Sequence, residues 1–321
     1  MHNAPAARDG DPPPMFQLDE FLASRAPHGR LLARHDGADV IEVREHDRLR
    51  WFTAGGCFVQ GLMDLDQPAR LVLPNHQAML AALTWAPRHA RILNLGFGCG
   101  SFERFAHAHL EASRVVSVEC EPALVDLART HFAVPAAWPV VIDRAEHYVA
   151  GAHAPFDLVL CDVFAGEAHA ECLFDSYFHA DLARCLGADG VLALNLSPQD
   201  EEEVVAILAA LRQSIDWVML APIAAHGNAV VLASPAPPPA AAVMHARAAT
   251  LAAACGLVPD ALLPAFERLP GRQEIWGDAA DDDDFDDDDF DDDVERDDAT
   301  HGDDRGDGAT QRAARRDGRR R

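Results

Sequence analysis

The sequence predicts an α/β protein with a mostly parallel central sheet that helices cover on both faces. From residue 90 onward, short apolar runs alternate with segments whose apolar residues recur at helical spacing. The apolar runs lack polar alternation, so both faces of each strand are expected to be buried. Successive parallel strands need a crossover, which is usually a helix. The last two runs flank "HGN" and predict a terminal hairpin that adds one antiparallel strand.

The individual elements follow from these patterns in chain order. Strands are predicted at "ARILNLGFG", "RVVSVE", "WPVVID", "FDLVLCDVF", "GVLALNL", "DWVMLAPI" and "NAVVLASP". Helices are predicted at "SFERFAHAHL", "PALVDLARTHF", "CLFDSYFHADLARCL" and "QDEEEVVAILAALRQSI", and the acids that open the last one suit a helix N-terminus. Upstream, "VIEVREH" and "RLRWFTA" alternate apolar and polar residues, which predicts a small antiparallel sheet over residues 39–62. One helix is expected from Pro74 until Pro87 closes it.

Shifts in composition divide the chain into five predicted segments. They are a flexible lead at 1–36, a small β domain with a linking helix at 37–88, the α/β domain at 89–235, a helical appendage at 236–275 and an acidic tail with an Arg-rich end at 276–321. The tail contains "DDDDFDDDDFDDD", and such dense like charge cannot collapse into a core. The tail is therefore expected to be disordered.

The charge and the cysteine content restrict the kinds of partner and the cellular compartment that the sequence predicts. The formal net charge is −25, of which residues 275–321 contribute −11, so the folded body is itself acidic. An acidic body repels phosphate, which disfavours nucleic acid as a partner. The seven cysteines include no C-x-x-C pair, and no apolar stretch is long enough to span a membrane. These features, with no signal-peptide pattern in the first thirty residues, predict a cytoplasmic protein that binds no membrane.

Three alternating glycines mark the first strand-to-helix turn of the α/β domain. Gly96, Gly98 and Gly100 allow positive φ and let a ligand approach the backbone without a Cβ in the way. Ser101 stands where a dinucleotide fingerprint has its last glycine, which disfavours a dinucleotide. Glu119 ends the next strand, where its carboxylate can accept hydrogen bonds from both hydroxyls of a ribose. A nucleoside is the expected ligand, and a helix-capping role is the alternative for Glu119.

Asp162 ends the fourth strand, at the edge where open α/β sheets bind their ligands. Methyltransferases that act on nucleic-acid bases usually carry an N/D-P-P-Y or a Pro-Cys element there, and this sequence has neither. The histidines are dispersed, and H-E-x-x-H, G-x-S-x-G and P-loop patterns are missing. No metal site and no hydrolase chemistry are therefore predicted.

The order of these pieces resembles the spermidine synthase (polyamine aminopropyltransferase) family, in its bacterial spermidine synthase-like branch. The resemblance covers about residues 39–235 and rests on "FVQ", "NHQAML", "ILNLGFGCGSFERF", "VVSVECEPALVDLARTHF", "FDLVLCDVF" and "GVLALNL". It implies a class I methyltransferase-like (Rossmann-like) fold preceded by a small antiparallel β domain. The last four motifs fit many class I transferases, while the β domain and its Gln60 narrow the match.

The resemblance implies an aminopropyl transfer. Decarboxylated S-adenosylmethionine would be the co-substrate, with no tightly bound cofactor, and a polyamine such as putrescine would accept the group. By resemblance, Glu119 binds the ribose and Asp162 helps to deprotonate the attacking amine, while Gln60 and His76 line the substrate cleft. Asp143, one place before the residue that aligns with the family's adenine-binding acid, would meet the adenine. Whether the protein forms a homodimer stays open.

Four positions depart from the family pattern, namely Cys99, Ala165, Asn75 and Arg144. The first two replace carboxylates, one in the glycine loop and one three residues after the catalytic acid. The third replaces a tyrosine, and the fourth replaces the adenine-binding acid. Glu167 and Glu171 in the following loop are candidates to compensate. Two other functions stay open: a methyltransferase that uses S-adenosylmethionine on a small molecule, and a catalytically degenerate member that binds a nucleoside or polyamine.

Overall fold

The computed structural model describes residues 29–56, 58–86, 89–151, 154–223 and 227–271. Most of the predicted lead, Cys57 and the predicted acidic tail at 276–321 lie outside the described residues. A search of the described helices for one with the length and apolarity of a membrane span finds none.

Four antiparallel strands form the first sheet, in the order in which they occur along the chain. They are β1 (Arg30–Asp36), β2 (Val40–His46), β3 (Leu49–Ala54) and β4 (Gly61–Asp64). The predicted antiparallel sheet is confirmed, but the prediction of a flexible lead is wrong for residues 30–36. These residues form a strand because pairing with β2, from Arg30 opposite Glu45 to Asp36 opposite Val40, satisfies their backbone groups.

Two short helices connect the first sheet to the second, where the sequence predicted one. They are α1 (Pro74–Met79) and α2 (Ala82–Trp85). Pro74 begins α1 because a first helical residue needs no N–H. At the junction the backbone hydrogen bonds join residues three apart, as from Leu80 N–H to the Gln77 carbonyl, so the helix tightens and is interrupted there.

Eight strands form the second sheet. In chain order they are β5 (Arg91–Leu95), β6 (Arg114–Glu119), β7 (Val140–Ile142), β8 (Phe156–Cys161), β11 (Leu186–Leu196), β12 (Trp217–Ile223), β13 (Asn228–Ser234) and β14 (Glu267–Arg268), with a separate hairpin of β9 (Phe164–Ala165) and β10 (Ala168–His169) after β8. Their spatial order is β14-β12-β13-β11-β8-β5-β6-β7. Strands β7, β6, β5, β8 and β11 are parallel, and β13 pairs antiparallel with β11 and β12. The predicted parallel sheet and terminal hairpin are confirmed.

Helices cover both faces of this sheet. They are α3 (Ser101–His109), α4 (Pro122–His131), α5 (Ala145–Ala150), a 3₁₀ helix (Glu171–Phe174), α6 (Ser176–Cys185), α7 (Glu201–Leu211), α8 (Ala241–Cys255) and α9 (Pro259–Leu262). The helix predicted at "CLFDSYFHADLARCL" is divided in two. Asp175 causes the division, because its extended backbone ends the 3₁₀ helix and its carboxylate accepts a hydrogen bond from Tyr177 N–H at the start of α6.

The core consists of apolar clusters on the two faces of the large sheet. Within β8, Leu158 and Leu160 belong to one cluster, and Val159 and Cys161 belong to the other. This alternation follows from the two-residue period of a strand. Both sets are buried, which explains why residues 158–161 of β8 are continuously apolar.

The segment predicted as a helical appendage is part of the same structure. Met244, Ala248 and Ala252 of α8 are buried in the cluster on one face of the sheet. Further along, β14 pairs with β12, with Met219 opposite Arg268. The segment therefore adds an edge strand to the sheet as well as the predicted helix.

Candidate functional site

A cavity of about 970 Å³ lies at the carboxyl ends of the parallel strands. Strand β5 stands between β6 and β8, so the strand order reverses there, and open α/β sheets bind their ligands at such a point. The first sheet contributes Ile41 of β2, Phe52 of β3 and Gln60 of the β3–β4 connection to the lining. Of the residues predicted to form the site, all except Gly100 line this cavity.

The glycine loop joins β5 to α3, and its three glycines serve different purposes. All have positive φ: 89° at Gly96, 54° at Gly98 and 72° at Gly100. A Cβ on Gly96 would lie 2.0 Å from the Asp162 carbonyl oxygen, so this position lets the loop pass close to the end of β8. Gly100 precedes α3 and packs behind the loop against Val134. Gly98 leaves the cavity wall without a Cβ.

Glu119, at the carboxyl end of β6, presents its carboxylate to the glycine loop. Its Oε2 accepts a hydrogen bond from Gly98 N–H at 3.1 Å, and its Oε1 accepts one from Glu121 N–H at 3.0 Å. Burial raises the pKa of Glu119 above its ordinary value, and these hydrogen bonds oppose the rise. Each carboxylate oxygen has a second lone pair, so both can also accept a ribose hydroxyl.

Asp162 follows β8 and lies across the cavity floor from Glu119. His76 Nε2 lies 3.1 Å from its Oδ2, and Asn195 Nδ2 donates to its Oδ1 at 2.7 Å. The sequence indicated His76 but not Asn195. The available signal was an asparagine inside the apolar run "GVLALNL", because a buried amide is costly unless it is hydrogen-bonded.

Gln60 joins the first sheet to the segment that follows Asp162. Its side-chain amide donates to the carbonyl oxygen of Gly166 at 2.5 Å. Beside it, Phe58 N–H donates to Glu167 Oε1 at 2.9 Å. Gln60 therefore lines the cavity while its amide holds the β9–β10 hairpin, and Glu167 is tied to the first sheet as well as lining the cavity.

Asp143 lies at the far end of the cavity, just after β7. Its backbone N–H donates to the Glu119 carbonyl at 3.0 Å, which places the two residues side by side. Its Oδ1 accepts from Arg144 N–H at 2.8 Å. The Arg144 side chain forms an ion pair with Glu146. Both Asp143 and Arg144 line the cavity, so the structure places the two candidate adenine-binding positions together.

Two cysteine thiols line the same end of the cavity. Burial raises the pKa of Cys120 to about 11 and that of Cys172 to about 12. Both side chains are therefore neutral thiols at physiological pH. Within the part of the chain that the structure describes, no group of three His, Cys, Asp or Glu side chains is arranged to hold a metal ion.

Cys99 occupies the loop position where the resemblance implies a carboxylate. It is buried in an apolar cluster with Ile41, Phe52 and Leu124, all of which line the cavity. Its Sγ lies 3.3 Å from Ser101 Oγ. The glycine loop thus contributes a thiol and an apolar wall to this part of the cavity, where an acid would have contributed charge.

Arg104 supports the glycine loop from behind, a role that the sequence analysis missed. Arg104 is 4% exposed, and its guanidinium donates to the carbonyl oxygens of Cys99 at 2.5 Å, Pro68 at 2.7 Å and Phe132 at 3.1 Å. A buried guanidinium needs such partners because its desolvation is costly. It fixes the loop to the segments on either side.

Two solved structures share this architecture. A probable spermidine synthase from Corynebacterium glutamicum superposes with a TM-score of 0.56 and 20% identity, covering 71% of this chain and 87% of that one. Human methyltransferase-like protein 13, solved in complex with SAH, gives a TM-score of 0.53 and 22% identity, covering 58% and 94%. The chain is therefore a class I methyltransferase-like α/β protein with an antiparallel sheet before the main domain.

Comparison with individual sequences identifies the family, although no family model matches the chain. A polyamine aminopropyltransferase from Chromobacterium violaceum is 31% identical over 196 residues, which are 60% of this chain and 75% of the relative. This protein belongs to the polyamine aminopropyltransferase family.

Proposed function

We propose that this protein transfers an aminopropyl group from decarboxylated S-adenosylmethionine to an amine of a polyamine such as putrescine. The observation that carries the proposal is the placement of two carboxylates on one cavity. Glu119 faces the glycine loop from β6, and Asp162 extends from β8, with β5 between them. Membership in the aminopropyltransferase family supports the reaction type.

The nucleoside half of the donor fits the cradle formed by Glu119 and Gly98. The carboxylate oxygens accept the ribose hydroxyls, and the absent Cβ of Gly98 lets the nucleoside approach the loop. Asp143 lies beside Glu119, where its carboxylate can accept a hydrogen bond from the adenine amino group. The sulfonium end of the donor then points toward Asp162.

Asp162 receives a proton from the attacking amine. The amine lone pair attacks the propyl carbon bonded to sulfur, the carbon–sulfur bond breaks, and its electron pair remains on sulfur as neutral methylthioadenosine. The nitrogen forms a bond to this carbon and loses a proton to Asp162, which lines the cavity where the amine binds. His76 and Asn195 hold the carboxylate by its two oxygens, so its orientation is fixed before the amine arrives.

Acidic side chains on the cavity wall support a cationic acceptor. Asp39, Glu167 and Glu171 line the cavity in addition to Asp162. An ammonium group is attracted to such a wall, although exposed charges are screened by salt. These acids supply negative charge that Cys99 and Ala165 do not.

Methyl transfer from intact S-adenosylmethionine is the second candidate. The observation that favours it is Cys99, which gives the donor's side-chain pocket an apolar wall instead of a carboxylate. The nucleoside cradle would be the same for both donors. The two functions differ in the group transferred and in the nucleoside released.

The experiment that separates them supplies each donor alone with an acceptor. With decarboxylated S-adenosylmethionine and putrescine, the proposal predicts methylthioadenosine and a longer polyamine. Methyl transfer would instead give S-adenosylhomocysteine from the intact donor and a methylated acceptor. Binding of either donor by calorimetry with no product from any acceptor would indicate a member that binds without turnover, and would overturn both proposals.

A further inference from the structure

Two asparagines extend in a line from the proposed catalytic carboxylate, and both line the cavity. Asn195, near the end of β11, is 2% exposed, and Asn228 is the first residue of β13. Asn195 is paired with Val230 across the two antiparallel strands, so Asn228 lies diagonally opposite it on the same face. Asn228 Nδ2 lies 3.1 Å from Asn195 Oδ1.

The direction of each hydrogen bond in this line is fixed by chemistry. An ionised carboxylate only accepts, so Asn195 must turn its NH₂ group toward Asp162 Oδ1, at 2.7 Å. The amide oxygen of Asn195 then faces Asn228 and requires a donor there. Asn228 supplies its NH₂ group, and His76 approaches the other oxygen of Asp162. Both hydrogen bonds are therefore donated toward the carboxylate: Asn228 donates to Asn195, and Asn195 donates to Asp162.

We propose that Asn228 is a positioning residue that fixes the Asp162 carboxylate through Asn195. The proposal rests on the proposed function, because it assumes that Asp162 receives the proton of the attacking amine. An Asn195 amide that lacks the donor of Asn228 can turn over and present its oxygen to Asp162, which repels the carboxylate. The antiparallel strand β13 thus contributes to the site by delivering one side chain.

The surroundings of Asn195 support a role in orientation. Ala193, which lies on the same face of β11, and Val230, the partner of Asn195 on β13, are fully buried in an apolar cluster. An amide among such residues costs free energy unless it is hydrogen-bonded, and the strand needs no side-chain amide to pair with its neighbours. Leucine would fill the same space without a polar group. What the amide adds is a directed donor to Asp162.

The sharpest variant is Asn228→Asp, which keeps the shape of the side chain but only accepts hydrogen bonds when ionised. It should force the Asn195 amide to turn, and kcat should fall by about tenfold or more while the affinity for methylthioadenosine is unchanged. If the site merely gained from negative charge, the same variant would lower KM for the cationic acceptor and leave kcat alone. Asn228→Leu should resemble Asn228→Asp, because it also lacks the donor.

A double-mutant cycle and a matched control complete the test. In an Asn195→Leu background, Asn228→Leu should cause no further loss of kcat, because its effect passes through Asn195. Ser234→Ala removes a hydrogen bond to the Gly190 carbonyl at the other end of β13, and should change stability but not kcat. Unchanged kcat in both Asn228 variants, or an undiminished effect in the Asn195→Leu background, would overturn the proposal.

A readout that needs no turnover distinguishes failure of this inference from failure of the proposed function. The side-chain NH₂ resonances of Asn195, followed by NMR, should respond to Asp162→Asn in the wild-type chain and should lose that response in an Asn228→Asp background. If the wild type releases no methylthioadenosine but this response is present and then lost, the function has failed and the positioning stands. If the response is missing, or survives in the variant, the positioning is overturned.

Discussion

Glu119 and Asp162 are the residues on which the account of the site depends, and each could be located from its place at the end of a strand. Asn195 and Arg104 could not, because their roles come from tertiary contacts. Asn195 meets Asp162 from a neighbouring strand, and Arg104 meets Pro68 and other carbonyls from distant segments. A polar residue in an apolar run indicates that a partner exists, but it does not say which one.

At the residue scale, Glu119→Gln tests the nucleoside cradle. Gln must turn its NH₂ group toward the N–H of either Gly98 or Glu121, which repels it, and it also loses the charge that strengthens the bonds to ribose. We expect the Kd of methylthioadenosine to rise by about tenfold or more, measured by calorimetry. Glu202→Gln on the exposed face of α7 is the matched control and should leave the Kd unchanged. An unaltered Kd in Glu119→Gln would show that Glu119 does not bind the ribose.

Among the elements, the glycine loop shows how the chain brings two strands together. Only a residue without a Cβ lets the loop pass the Asp162 carbonyl, so the glycine pattern and the position of Asp162 depend on each other. The sequence predicted a ligand-binding turn from the same glycines. It could not separate the glycine needed for packing, Gly96, from the one that faces the ligand, Gly98.

Two alanine variants, one at the end of α8 and one in the glycine loop, separate the cost of a positive φ from the cost of a collision. Gly256, which ends α8, has φ of 66° and open space where a Cβ would lie, so Gly256→Ala should cost only about 1 kcal/mol. Gly96→Ala adds a Cβ 2.0 Å from the Asp162 carbonyl oxygen and should lower the free energy of unfolding by several-fold more. Urea denaturation measures both. Equal losses in the free energy of unfolding would mean that the glycine loop moves aside for the added Cβ at no extra cost.

The hairpin β9–β10 is fixed from two sides. Gln60 holds its turn from the side of the first sheet, and His169 holds its end on the opposite side. His169 Nε2 accepts from Ser197 N–H at 2.9 Å, and its Nδ1 lies 3.1 Å from Glu203 Oε2. The ring is therefore neutral, with its proton on Nδ1 toward Glu203.

This arrangement predicts a dependence of stability on pH. Burial lowers the pKa of His169 below 6.5, although Glu203 opposes the shift. The unfolded chain therefore binds a proton that the folded chain does not, and the free energy of unfolding should fall as pH drops below about 6.5. In His169→Gln this decrease between about pH 7.5 and about pH 5.5 should be smaller. Identical decreases in both proteins, measured by urea denaturation, would refute the assignment.

At the scale of the whole molecule, the alternation of strands and helices was sufficient to predict the parallel sheet and its antiparallel hairpin. Strands β1 and β14 were not predicted. Both lie at sheet edges, have exposed side chains and are stabilised by pairing with β2 and β12, so no apolar pattern marks them. The gathering of His76, Asp162 and Gln60 on one cavity likewise follows from how the two sheets meet.

The acidic body should attract a cationic acceptor over a distance. Without residues 275–321 the chain still carries a formal net charge of −14, and such a field raises the local concentration of polycations until salt screens it. We expect kcat/KM for putrescine to fall several-fold between about 20 mM and about 200 mM salt. The Kd of methylthioadenosine, which is uncharged, should change little over the same range. A kcat/KM that is independent of salt would exclude this attraction.

The most direct measurement is the rate at which Asp162→Asn releases methylthioadenosine, with decarboxylated S-adenosylmethionine and putrescine both saturating. Asparagine keeps the size of the side chain but cannot take up the amine proton. The account predicts a loss of about 100- to 10,000-fold in kcat with nucleoside affinity preserved. A variant that turns over at the wild-type rate would show that the proton leaves by another route and that Asp162 does not act as the base.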